Sequence, residues 1–140
     1  MKAGFEQRIE EAYSSVLEAV RRDAPRFPLS HAVAIVLGSG LGDFASKVEG
    51  VELPYSAVKG FPATTVAGHR GMFKLGERIL LMAGRFHSYE GWGLDDVVLP
   101  VFLLKRLGAS RMIVTNAVGA VNRRFSPGDL VVKRSSQSYG

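Results

Sequence analysis

Phe5, Ile9, Ala12, Tyr13, Val16, Leu17 and Val20 recur at helical spacing, with Glu and Arg residues between them. That spacing gathers the apolar side chains on one stripe and predicts an amphipathic helix, closed by Pro25 and Pro28. The pattern then changes. Ala32 to Leu37 is continuously apolar and β-branched, which predicts a strand buried on both faces. Val48 to Val58 predicts an irregular strand interrupted at Pro54, and Thr64-Thr65-Val66, Gly71 to Leu75 and Arg78 to Ala83 predict three more, with a tight turn at Gly76-Glu77. From Leu94 to Leu107 the period returns to that of a helix through Val97, Val98, Val101, Leu104 and Leu107. Asp95 and Asp96 suit its positive end, Pro100 should bend or limit it, and Gly108 should stop it. Arg111 to Thr115 and, after a Pro127-Gly128-Asp129 turn, Leu130-Val131-Val132 complete the predicted strands. Helices mixed with strands that run into loops predict an α/β fold with a mixed central β-sheet flanked by helices. In such folds ligands sit beyond the carboxyl ends of the strands.

Composition narrows the chemistry. With 46% hydrophobic and 22% charged residues, the 140-residue chain reads as one globular unit rather than a disordered one. It has no cysteine, which excludes disulfides, thiolate nucleophiles and cysteine-bound zinc and fits a cytoplasmic setting. His31, His69 and His87 have no metal-ligand spacing, so no metal is expected. No apolar run reaches the ~18 residues of a membrane span, so no membrane role is expected. The net charge of +5 is scattered, with short basic pairs only, and favours small anions over nucleic acid as partners.

Three segments carry the candidate chemistry: Gly38-Ser39-Gly40-Leu41-Gly42, Gly84 to Gly91, and Thr115 to Gly119. Each follows an apolar strand. Together they offer backbone N–H groups, a hydroxyl, a guanidinium and an imidazole, the means to hold a phosphate dianion. The first is no dinucleotide fingerprint, because Asp43 occupies the third glycine position, and no nucleophile elbow, because Leu37 and Leu41 flank Ser39. It reads as an anion-binding nest or a plain tight turn. In the second, Arg85 and His87 alternate along an extended stretch and face one side, with Tyr89 continuing that side toward a sugar. Asn116 taken alone reads as a turn former. His69 reads as a loop residue open to solvent or ligand, and Glu90 as a buttress for an arginine or a solvated carboxylate. Phe61, Trp92 and Phe102 read as packing residues.

Taken together, the segments resemble the trimeric purine nucleoside phosphorylases. The matching residues are Gly38 to Gly42, Phe61-Pro62 with Thr65-Val66 and Gly68-His69, Gly84-Arg85-Phe86-His87 with Tyr89-Glu90-Gly91, Thr115-Asn116-Ala117, and Gly128-Asp129. The resemblance runs from Ala32 to Val132 in order and spacing. It implies phosphorolysis of 6-oxopurine (deoxy)ribonucleosides to free base and (deoxy)ribose 1-phosphate in purine salvage, with inorganic phosphate as co-substrate and no cofactor. Ser39, Arg85, His87 and the Ala117 backbone N–H would hold phosphate. His69, His87 and Glu90 would serve catalysis, with His69 in a loop over the phosphate and Glu90 supporting Arg85. Tyr89 and Asn116 would meet the nucleoside. A homo-oligomer is implied only by the family's being trimeric.

The same resemblance covers the family's amino-terminal half. Residues 1–132 are expected to form that half of one domain, incomplete at its C-terminus, and 133–140 a divergent tail. The tail suggests a truncated, frame-shifted or engineered fragment with an open sheet edge. The purine-binding glutamate and asparagine of the family belong to its other half, so the isolated chain is expected to be inactive. A non-catalytic phosphate- or nucleotide-binding module and a structural fragment are the alternatives.

Overall fold

The computed structural model describes residues 3–21, 26–38, 40–62 and 71–133. Two α-helices, α1 (Ala3–Ala19) and α2 (Leu94–Arg106), accompany five strands. These are β1 (Ala32–Leu37), β2 (Val51–Pro54), β3 (Met72–Leu75), β4 (Ile79–Ala83) and β5 (Ala109–Val114). The sheet order is β2-β3-β4-β1-β5. Strands β4 and β5 pair with β1 in parallel, whereas β3 pairs antiparallel with both β2 and β4. This is the mixed sheet that the sequence pattern predicts. The expected segment Thr64 to Val66 and the tail from 134 onward lie outside the described residues.

Alternation along the strands sorts side chains onto two faces. Ala32, Ala34 and Val36 of β1, Leu80 and Met82 of β4, and Phe73 and Leu75 of β3 face the helices. They pack with Ala12, Tyr13, Val16 and Val20 on the α1 side and Leu103, Leu104 and Leu107 on the α2 side. Complete burial of a leucine such as Leu103 contributes about 1.5–3 kcal/mol. The opposite face is thinner. There Leu37, Leu81 and Ala83 pack beneath Ala45 and Val48, at and just beyond the 3₁₀ segment Gly42–Lys47. Val33 and Ile35 of β1 stay half-buried on that face, so β1 is fully covered on one side only. A continuous apolar run reports a central strand but not how much cover each face receives.

Two ion pairs clasp the first half of α1 to the two ends of α2. Arg8 at the start of α1 meets Asp96 at the start of α2 at 2.7 Å, and Arg106 meets Glu10 at 2.8 Å while lying over the Tyr13 ring at 3.9 Å. The Ser15 hydroxyl, buried on α1, donates to the Ala12 carbonyl and accepts from the Lys59 backbone N–H. This ties the helix to the segment that precedes Phe61. Helix α2 runs through Pro100, which is fully buried. The lost backbone bond is offset by the burial of Leu99, Leu103 and Leu104 around it. Gly108 ends the helix with φ at 106°, and a Cβ there would meet the Leu29 backbone, so only glycine fits the approach.

One predicted strand does not form. Leu130, Val131 and Val132 follow the Pro127-Gly128 turn as expected, but they have no strand partner among the described residues and are 99%, 61% and 90% exposed. Their β-branched sequence is suited to a strand, yet a ladder needs a neighbour whose N–H and C=O groups pair with it.

Candidate functional site

Because β4, β1 and β5 are parallel, their carboxyl ends share one edge of the sheet. Leu37 lies opposite Ala83, and Val36 lies opposite Met82 on one side and Val114 on the other. The three segments singled out in the sequence therefore leave the sheet side by side, with the loop after β1 in the middle.

The contact between the first and third segments is close. A Cβ at Gly38 would collide with the Thr115 carbonyl and lie 2.8 Å from the Asn116 Cα, which explains glycine at the end of β1. The Thr115 hydroxyl accepts from the Gly38 N–H at 2.9 Å and donates to the Val36 carbonyl at 3.2 Å, so both its capacities are used. The Thr115 N–H also donates to Val36, at 3.0 Å. A turn then closes from the Leu41 N–H to the Gly38 carbonyl. Ser39 lies outside the described residues.

The second segment reaches the third. Arg85 Nη1 donates to the Thr115 carbonyl at 3.4 Å. None of the ion pairs among the described residues involves Arg85. The remaining N–H donors of its fork have no partner among those residues, and a guanidinium fork is suited to an oxyanion. Phe86 points the other way and is buried, held by Tyr55, Phe61 and Trp92. Arg85 and His87 flank it and are half-buried. The alternation expected from the sequence thus places one aromatic anchor inward between two candidate ligands.

Beyond His87 the chain tightens into a 3₁₀ turn, Ser88–Glu90. The turn stacks the Tyr89 ring on the His87 imidazole at 4.7 Å, with 13° between their planes. Tyr89 is 81% exposed and offers a flat apolar face beside the imidazole. Glu90 accepts from Trp92 Nε1 at 3.1 Å, so its partner here is the indole. Asn116 and Ala117 follow Thr115 on the exposed side of the edge. His69 lies outside the described residues.

Sequence reasoning passed over two residues that shape this edge. Thr115 has no evident role in the sequence pattern, although a threonine at a strand end is a ready side-chain partner for nearby backbone. Tyr55 belonged to no motif. Its hydroxyl, 2.9 Å from the Gly84 carbonyl, joins the base of the second segment to the aromatic cluster. Burial pushes the ionisation of that hydroxyl well above the usual tyrosine value, which keeps it a donor.

Phe61, Trp92 and Phe102 all pack, as expected: Phe61 on Tyr55, Phe73 and Phe86, Trp92 on Phe86, and Phe102 edge-on to Phe5. A separate hollow of about 630 Å³ is bounded by Val118 to Val131 and shares no residue with the Arg85–His87 group. Among the described residues no three His, Asp or Glu side chains cluster to hold a metal, and no helix is long and apolar enough to cross a membrane. A guanidinium, an imidazole and backbone at strand ends form a set suited to a tetrahedral oxyanion.

Residues 32–137 match the model of the phosphorylase superfamily. The chain is 45% identical over 112 residues to purine nucleoside phosphorylase 1 of Geobacillus stearothermophilus, covering 76% of this chain and 41% of that protein. It is 39% identical over 133 residues to purine nucleoside phosphorylase 1 of Bacillus subtilis, covering 91% of this chain and 46% of the relative. Isoform 2 of the Schistosoma mansoni purine nucleoside phosphorylase, solved with cytosine and ribose-1-phosphate, superposes with a TM-score of 0.75 at 32% identity over 88% of this chain and 42% of its own. The chain thus spans less than half the length of these relatives. Family model, sequence relatives and fold converge: this chain belongs to the phosphorylase superfamily, and within it is similar to the purine nucleoside phosphorylases.

Proposed function

We propose that these residues form the phosphate-binding part, and the amino-terminal half, of a purine nucleoside phosphorylase that acts in cytoplasmic purine salvage as a trimer. The observation that carries the reading is the joining of three strand-end segments around Thr115, with Arg85 bonded to its carbonyl and Gly38 to its hydroxyl. Arg85 and His87 bind phosphate with the Ala117 N–H and Ser39, while His69 lies across it. Tyr89 and Asn116 meet the nucleoside. Glu90, held by Trp92, steadies the loop that carries Arg85 and His87.

The chemistry follows from that placement. One phosphate oxygen attacks C1′ of the sugar as the bond from C1′ to the purine nitrogen breaks. The bonding electrons leave with the base, which takes up a proton, and the sugar becomes a 1-phosphate. The transition state is oxocarbenium-like, as in other glycosyl cleavages. A dianion fixed beneath C1′ is both the nucleophile and the stabilising charge, so positioning supplies much of the rate. The substrate is a 6-oxopurine (deoxy)ribonucleoside, and no cofactor is required. The binding of ribose-1-phosphate by the Schistosoma mansoni protein supports a sugar-phosphate product.

The isolated chain should bind phosphate saturably, lose that binding in Arg85→Ala, and release no hypoxanthine from inosine. Joining residues 1–132 to the remaining part of the Geobacillus stearothermophilus relative should restore phosphate-dependent release of hypoxanthine, again abolished by Arg85→Ala. A folded chimera that binds nucleoside and phosphate but cleaves nothing would overturn the enzymatic reading.

A further inference from the structure

Tyr55 is 1% exposed and packs its ring on Phe61, Phe73 and Phe86 at centroid distances of 5.7, 4.8 and 5.4 Å. Phenylalanine would fill the same space. A buried hydroxyl is costly unless it is bonded, so the oxygen calls for an explanation of its own. Its partner is the carbonyl of Gly84, 2.9 Å away. Gly84 is the hinge between β4 and Arg85, and its φ of 102° is open to glycine alone among ordinary residues. The Tyr55 backbone N–H donates to the Gly71 carbonyl, also at 2.9 Å. One residue therefore holds the main chain just before Arg85 and just after the sequence segment that contains His69.

We propose that Tyr55 is a positioning residue of the phosphate site: its hydroxyl fixes the Gly84 carbonyl, and through it the direction in which Arg85 and His87 leave β4. The physical ground is the freedom of glycine. Without the hydroxyl the peptide between Gly84 and Arg85 loses a restraint at the residue type that rotates most readily. Arg85 is the next residue, and its guanidinium must meet the third segment at Thr115. The aromatic cluster thus transmits the rigidity of the core to the ligand-bearing loop. The inference rests on the reading that Arg85 and His87 bind phosphate.

Calorimetric titration of inorganic phosphate into the 140-residue chain tests it, with Arg85→Ala, Tyr55→Phe and Phe73→Leu alongside and the melting temperature of each recorded. Tyr55→Phe should weaken phosphate binding roughly three- to tenfold, the scale of one neutral hydrogen bond, and speed amide exchange at 84–88. Phe73→Leu disturbs the same cluster but keeps the hydroxyl. It should lower the melting temperature and leave phosphate affinity unchanged. Unchanged affinity in Tyr55→Phe overturns the inference and leaves the phosphate reading standing. Equal weakening in Phe73→Leu also overturns it, because general loosening would then suffice. A chain that does not bind phosphate, or binds it equally in Arg85→Ala, overturns the phosphate reading and the inference with it. In the unsubstituted chain, labelled with ¹³C at glycine carbonyls, saturating phosphate should shift the Gly84 resonance. A resonance that does not move contradicts the proposal whatever the variants do.

Discussion

Strands β4 and β5 flank β1 with the same parallel pairing, yet one is interior and the other open. In β4, Leu80, Leu81, Met82 and Ala83 are buried, whereas every residue of β5 from Ser110 to Val114 is exposed. Met112, Ile113 and Val114 are as apolar as their counterparts in β4. The difference lies in what covers them. Strand β4 has a further strand, β3, on its outer side, the helix-side core above it and the Gly42–Lys47 turn below. Strand β5 has β1 on one side and no strand on the other among the described residues. Hydrophobic sequence and a satisfied ladder thus do not make a strand interior. An open edge with apolar side chains is also a template for association with another chain.

The sharpest way to break the comparison is to cut into each side equally. Leu80→Ala, at a β4 residue with no exposure, should cost about 2–5 kcal/mol of stability in a denaturant titration. Ile113→Ala, at 52% exposure, should cost only a fraction of that, within about 1 kcal/mol. Similar losses at both positions would mean that β5 is covered in solution.

The proposed phosphate site joins the two regions, because Arg85 comes from the covered side and Thr115 from the open one. Arg85→Ala should weaken phosphate binding by roughly 2–3 kcal/mol, since a hydrogen bond to a charged group is at stake. Phosphate should also slow amide exchange at 115–117 in the unsubstituted chain and not in that variant. Protection that persists in Arg85→Ala would separate the third segment from the site.

A smaller effect is expected from Ile113→Lys. It should reduce concentration-dependent association in sedimentation velocity while leaving the melting temperature nearly unchanged, because charge on an edge strand opposes pairing. Association unaltered by the lysine would place the contact elsewhere.

The smallest effect concerns the clasp between the helices. The hydrogen bond from Arg106 holds the Glu10 carboxyl below its ordinary value of 4.5. A lowered carboxylate stabilises the fold fully above that value, and the contribution fades as acid titrates the folded group. Glu10→Gln should therefore narrow the stability difference between pH 7 and pH 3 slightly, most visibly at low salt. The pair is exposed and contributes little. A melting curve whose pH dependence is identical in both proteins would remove Glu10 from the account.

How much of this was legible in the sequence depends on where the determining contact lies. The helices and the strands β1, β3 and β4 were readable because periodicity and continuous apolar runs are local consequences of burial. Gly108 was readable as a stop because it acts on its own backbone. Leu130 to Val132 misled, since strand propensity cannot supply a partner strand. Arg85, His87 and their alternation around Phe86 could be read from the extended stretch. The stacking of Tyr89 on His87 could not, because the 3₁₀ turn that brings the rings together breaks that stretch. The pairing of Glu90 with Trp92, the Thr115 bonds to Gly38 and Val36, and the reach of Tyr55 to Gly84 are tertiary choices. Each joins groups whose types were visible in the chain but whose partners depend on the fold.

The central claim is that three strand-end segments form one phosphate site. A crystal structure of this chain soaked in phosphate tests it most directly. The account predicts a tetrahedral anion between the Arg85 guanidinium, the His87 imidazole and the Ala117 N–H, beyond the carboxyl end of β1. Phosphate bound only in the hollow bounded by Val118 to Val131, with the edge beside Arg85 empty, would contradict it.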